Sequence, residues 1–216
     1  QCASWAFAGP EGVVLIDPGS GCGQETIIGN LQALGFSPPD VTHVLMTHCH
    51  CDHAMGAGFW QACGAVLIAS HPCAAYLAQA HSFIWGEHPD LIPAIHVDVR
   101  LKDGEQSVAG GVTMTAVASP GHTPGSMSYL FGTQAERLAF VGDVLMPDGQ
   151  PGWAGEGQYN ARQMLDSLET LLELNIHHAF PGHGNRMDKV RQWLGNGIQR
   201  GREGRWRPKR EWQAKA

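Results

Sequence analysis

No stretch of the chain approaches the roughly 18 consecutive apolar residues that a membrane span needs, so a soluble protein is expected. Charge is sparse as well, with 16% charged residues and a formal net charge of −6, which gives no general attraction to phosphate backbones. Six cysteines among 216 residues are too few for a disulfide scaffold. They read as mostly free thiols in a reducing, cytoplasmic setting. The chain opens with Gln1 rather than Met, so a processed or trimmed start stays open. There is no internal repeat, low-complexity segment or long linker, and the length suits one domain over residues 1–216. The exception to the acidic balance is a basic tail from about residue 196. The stretch "GNGIQRGREGRWRPKREWQAKA" holds seven Lys or Arg against two Glu, with Trp206 and Trp212 interleaved. It reads as a solvated tail, or else as an anion- or substrate-contacting appendage.

What is present is a series of short apolar runs: "GVVLID", "THVLMT", "AVLIA", "VTMTAVAS", "MSYLF" and "LAFVG". They are rich in Val, Ile or Leu and bounded by Gly, Pro or Asp, as buried strands are. Helical spacing falls between them. "ETIIGNLQAL" places Ile27, Ile28, Leu31 and Leu34 on one face and stops at Gly35, and "ARQMLDSLETLLEL" repeats the pattern with an N-cap candidate at Asn160. "PCAAYLAQA" is a shorter helix candidate. Strands and helices mixed along the whole length predict an α/β or α+β class with layered sheets.

The chemistry concentrates just after those strands. "THCHCDH", from Thr47 to His53, crowds His48, His50, Asp52 and His53 onto one turn, where packing alone gives no reason to gather titratable groups. His122 follows the "VTMTAVAS" run, Asp143 ends "LAFVG", and His183 lies in "PGHG" after "HHAF". Flanking glycines let the backbone turn sharply and approach closely. Imidazole and carboxylate together suit zinc, with iron or manganese as alternatives. Five histidines and two aspartates suffice for two metals that share a carboxylate.

The ordered set "HCHCDH", "GHTPGS", "GD" and "PGHG", preceded by "LIDPG", resembles the metallo-β-lactamase-fold superfamily and, within it, the branch similar to glyoxalase II. The resemblance runs from about Val14 to Gly184. It implies a four-layer αββα sandwich with metals at the edge between two sheets. It also implies that His48, His50 and His122 hold one metal, that Asp52, His53 and His183 hold the other, and that Asp143 bridges. Asp17 then supports the ligand turn through hydrogen bonds. Cys49 and Cys51 occupy variable positions and are expected to pack or point away; otherwise a thiolate joins the ligands.

Two such cations activate a water between them, so the expected reaction is hydrolysis, with Asp52 orienting the nucleophile. Departures from better-known members narrow the substrate. β-Lactamases of this fold lack a bridging aspartate, glyoxalase II carries a Gly-Cys-Gly-Arg stretch and a helical glutathione-binding domain, and homoserine-lactone hydrolases carry a tyrosine where Met146 stands here. The remaining expectation is a zinc-dependent hydrolase of an ester, thioester or lactone of a small molecule. The alternatives are a mononuclear iron dioxygenase acting on sulfur compounds, a β-lactamase, or a phosphodiesterase or nuclease; the acidic body argues against nucleic acid. Trp153 and Tyr159, in a Gly- and Pro-rich loop after Asp143, either line the pocket or anchor the loop. The histidines outside the motifs (His43, His71, His81, His88, His96, His177 and His178) read as structural, with His88 and His96 flanking a segment that could overhang the site.

Overall fold

The computed structural model describes residues 2–79, 94–152 and 158–206. Within them two five-stranded sheets face each other. The first sheet contains, in spatial order, β1 (Trp5–Gly9), β2 (Gly12–Ile16), β3 (Val41–Leu45), β4 (Val66–Ser70) and β5 (Val99–Leu101). Its first pair is an antiparallel hairpin and the remaining pairs are parallel. The second sheet is an antiparallel meander of β6 (Gln106–Ala109), β7 (Val112–Ala118), β8 (Met127–Thr133) and β9 (Glu136–Gly142), extended by β10 (His178–Pro181) parallel to β9. The helices are α1 (Gln24–Ala33), α2 (Cys51–Ala54), α3 (Ala57–Ala62), α4 (His71–Ala78), α5 (Ala161–Glu173) and α6 (Val190–Arg202).

The continuous apolar runs are explained by burial on both faces. In "GVVLI", Val13 and Leu15 join the outer core beneath the helices, with Leu31, Trp60 and Leu77, while Val14 and Ile16 point between the sheets toward Met114, Tyr129 and Phe140. β9 repeats this on the other side: Phe140 faces inward, and Ala139 and Val141 face a second outer core built on Leu168 of α5 and Leu194 of α6. Three apolar interfaces separate four layers, helix, sheet, sheet and helix, as expected for the αββα sandwich.

Two details differ from the sequence reading. Leu34, expected on the buried face of α1, is 72% exposed, because the helix ends at Ala33 and Leu34 is its C-cap. The stop at Gly35 is as expected: φ is +86°, and the amides of Gly35 and Phe36 donate back to Gln32 and Leu31, which closes the last turn. The first part of the basic tail is not a free strand of chain. Its residues up to Arg202 belong to α6, whose Val190, Leu194 and Ile198 are buried against α5, and the Trp206 indole N–H donates to the Gly197 carbonyl at 2.8 Å. Trp212 lies outside the described residues. No helix among the described residues is long and apolar enough to cross a membrane.

Candidate metal centre

The candidate residues all leave strand ends on the same edge of the sandwich: Asp17 after β2, the residue 47–53 turn after β3, His122 after β7, Asp143 after β9 and His183 after β10. Parallel pairing of β2 with β3 and of β9 with β10 makes those ends coincide. The ring nitrogens then converge. Nε2 of His48 and Nε2 of His122 lie 3.1 and 2.9 Å from Nδ1 of His50, and Nε2 of His53 lies 3.4 Å from Nε2 of His183. Asp52 Oδ2 is 3.6 Å from His53 Nε2 and 3.3 Å from His183 Nε2. Asp143 stands between the two sets: Oδ2 is 3.5 Å from the Nε2 atoms of both His122 and His183, and Oδ1 is 3.5 Å from His53 Nε2.

The imidazoles are held by groups behind them. Thr47 donates its backbone N–H to Asp17 Oδ1 at 2.8 Å and its hydroxyl to Oδ2 at 2.7 Å. With that proton committed, Thr47 Oγ1 accepts from Nδ1–H of His48 at 3.0 Å, and Asp17 Oδ2 also accepts from Nδ1–H of His53 at 2.9 Å. In its neutral form each ring therefore presents Nε2 as the lone-pair nitrogen facing the centre. Asp17 reaches this position with φ at +51°, an uncommon conformation for a side-chain-bearing residue. Thr47 was not singled out in the sequence; its place directly before the first histidine was the available signal. On the far side, α5 fixes His122: the Asn160 backbone N–H donates to the Gly121 carbonyl at 2.8 Å, and Ser167 Oγ donates to Pro120 O at 2.7 Å. Gly182 permits the close approach of β10, since a Cβ there would overlap Asp143 Oδ1 and lie 2.6 Å from His53 Cε1.

Burial pushes His48 and His122 below the ordinary histidine range, aided by the neighbouring rings, and takes His50 down to about 3. His53 is also buried, but the carboxylates of Asp143 and Asp17 outweigh the desolvation and raise it to about 8. His183 rises to about 10 through hydrogen bonds to Asp143 and Asp52. Asp143 is held well below the usual carboxylate range, because His53, His183 and His122 more than offset its burial.

A divalent cation suits this arrangement. Nitrogen and oxygen ligands at about 2.0–2.2 Å in tetrahedral geometry sit roughly 3.4 Å apart, close to the 3.3 and 3.4 Å from His183 to Asp52 and His53 and somewhat wider than the 2.9 and 3.1 Å from His50 to His122 and His48. Among the described residues, buried Asp143 Oδ1 and His122 Nδ1 have no hydrogen-bond partner, and a cation would satisfy the carboxylate oxygen. His48, His50 and His122 form one group able to hold an ion, and Asp52, His53 and His183 another. A third geometric grouping, Asp17 with His48 and His53, is already occupied by the hydrogen bonds through Thr47 and His53 Nδ1.

Cys49 is fully buried in the outer core under the helices, and Cys51 packs against the same core. Tyr159 packs half-buried against the second outer core, which raises its hydroxyl to about 12. Trp153, His81 and His88 lie outside the described residues. His96 is exposed. His43 and His177 accept backbone N–H bonds from Gly110 and Arg137 at 3.2 and 3.1 Å, which are structural uses.

A layered αββα sandwich with histidines and aspartates gathered at one edge defines a class of proteins built to hold a metal there, and the comparisons agree with that class. The chain belongs to the metallo-beta-lactamase superfamily, whose family model matches residues 1–183. Lactamase-like protein adaB of Aspergillus niger is 30% identical over 180 residues, covering 82% of this chain and 48% of its own length. The atrochrysone carboxyl ACP thioesterase of Aspergillus fumigatus is 29% identical over 188 residues, covering 87% and 52%. The chain thus spans about half the length of these curated relatives. Among solved structures, a metallo-beta-lactamase family protein from Thermus thermophilus superposes with a TM-score of 0.78 at 21% identity, covering 94% of this chain and 75% of its own. The MIM-2 metallo-beta-lactamase reaches 0.76 at 27% identity, covering 94% and 83%.

Proposed function

We propose that the chain is a dinuclear hydrolase of the glyoxalase II-like branch, that it holds two zinc ions, and that it cleaves an ester, thioester or lactone of a small molecule. The observation that carries this reading is the position of Asp143, with one carboxylate within 3.5 Å of nitrogens from both ligand sets. His48, His50 and His122 would hold one ion, and Asp52, His53 and His183 the other. When bound, such ions polarise the scissile carbonyl and lower the pKa of a water to near neutrality. The protein's own part is orientation. Asp143, 6% exposed, is buried and suits a fixed position between the two sets, whereas Asp52, 24% exposed, stays accessible to solvent and can accept or orient a proton of the attacking water at Oδ2. The thioesterase named among the relatives favours acyl-sulfur substrates within this class.

Elemental analysis of the purified protein, coupled to a panel of thioester, lactone, aryl ester, β-lactam and phosphodiester substrates, tests the proposal. Two zincs per chain with turnover of the acyl substrates are expected. One iron per chain with dioxygen consumption would instead establish the mononuclear oxidoreductase. Asp143→Ala should lose metal and most activity together; two metals retained with near-normal turnover would remove the bridging role.

A further inference from the structure

Gln24 belongs to none of the metal-site motifs, yet it is a core polar side chain, 8% exposed, at the first residue of α1. Its amide is fully engaged. Nε2 donates to the carbonyl oxygens of Pro18 at 2.7 Å and Ser20 at 3.0 Å, and Oε1 accepts from the indole N–H of Trp60 at 2.6 Å. Trp60, on α3, is completely buried. Because indole can only donate, it fixes which end of the amide faces it, so both amide hydrogens must point at the loop. That loop begins at Asp17. Its other side is tied to the helix that carries Asp52 and His53: Gly19 N–H donates to the His53 carbonyl at 3.1 Å, and Gly56 N–H donates to the Gly19 carbonyl at 2.9 Å. The fit is tight, since a Cβ on Gly56 would overlap both Gln24 Nε2 and the Pro18 carbonyl oxygen.

We propose that Gln24, locked by Trp60, is a positioning residue for the metal centre, clamping the residue 17–20 loop so that Asp17 can orient His53 and, through Thr47, His48. The proposal rests on the reading of the cluster as a metal site. Without the two donors, the Pro18 carbonyl loses a buried partner while the part-buried Ser20 carbonyl keeps only Gly23 N–H, a cost that the loop relieves by moving. Asp17 moves with it, since Pro18 is its neighbour. No step of the reaction passes through Gln24.

The test is zinc affinity of the full chain, by competition with a chromophoric chelator, alongside thermal unfolding of the metal-free protein. Gln24→Met removes the polar atoms at similar volume. Gln24→Glu keeps an acceptor for Trp60 but turns an oxygen toward two carbonyls. Each should weaken zinc binding about tenfold, the lower end of what loss of a support behind a ligand histidine costs. Because Gln24 acts through Asp17, adding Gln24→Met to Asp17→Asn should weaken binding little further. A lowered unfolding temperature with unchanged affinity, or fully additive losses, overturns the proposal. Should the Gln24 variants fail to fold, Trp60→Phe carries the same expectation, and unchanged affinity there overturns it too. If wild type binds zinc and Asp17→Asn weakens it while Gln24→Met does not, this inference alone falls; if wild type takes up no zinc, the metal reading falls with it.

Discussion

At the scale of single residues, the two groups of side chains able to hold an ion differ in charge before any cation arrives. His48, His50 and His122 are held neutral by burial, with His50 near 3, whereas His53 and His183 carry protons to about 8 and about 10. Cations and protons compete for the same ring nitrogens. A depressed group has no proton to lose at neutral pH; a raised one must shed it, so its metal affinity climbs as pH rises toward its own pKa. On the dinuclear reading proposed above, the set of three histidines should therefore load first and with little proton release, and the Asp52, His53 and His183 set second, releasing protons and tightening as pH rises to about 8 through His53 and on toward about 10 through His183. Calorimetry in buffers of different ionisation enthalpy measures protons released per equivalent. Equal release for both equivalents would refute the asymmetry.

At the scale of elements, the site is a property of strand ends. Each of the clustered histidines and aspartates follows a strand, and α5 ties down the loop that carries His122. α5 is capped by Asn160, whose side chain accepts from the amides of Arg162 and Gln163, both at 3.1 Å. This cap was legible because Asn before a 3.6-residue apolar period has a definite physical use. Asn160→Ala should cost about 1 kcal/mol in urea unfolding. It should leave zinc affinity unchanged, because the bond from Asn160 N–H to Gly121 is made by backbone. A large fall in affinity would mean that the side-chain cap itself holds His122. The strands that the sequence did not single out, β1, β5 and β6, are edge or near-edge segments with exposed positions, "WAFAG", "VRL" and "QSVA". Half-exposed segments carry too little apolar signal to separate them from loop, whereas β2, β4 and β9, buried on both faces, announce themselves.

At the scale of the whole molecule, the two sheets are joined by an aromatic core. Phe140 stacks on Phe180 with ring centroids 4.8 Å apart and meets Phe131 at 5.8 Å and Phe7 at 6.2 Å, so strands from both sheets share one side chain. Phe140→Ala should cost about 3–5 kcal/mol by urea unfolding, through lost burial and the cavity left between the sheets. A loss below about 1 kcal/mol would mean that the sheets close around the gap. The terminal helix shows the limit of composition as a guide. Its basic residues suggested a solvated segment, yet Val190, Leu194 and Ile198, spaced along one face, bury it against α5 while Arg191 and Arg202 remain exposed.

The sequence by itself determined the layers and which histidines and aspartates would be candidates for one cluster. Runs buried on both faces must be continuously apolar, and histidines and aspartates crowded into a few turns have no packing explanation. Only the tertiary structure decided how those groups are held. Which ring nitrogen faces the centre depends on Thr47 and Asp17 meeting across separate strands, the placing of Asp143 between two ligand sets depends on Gly182 letting β10 approach, and the polar clamp on the Asp17 loop depends on Trp60 and Gln24 meeting in the core. These are contacts between residues far apart in the chain, fixed by the directions of hydrogen bonds and the exclusion of overlapping atoms, neither of which is written in local composition or periodicity.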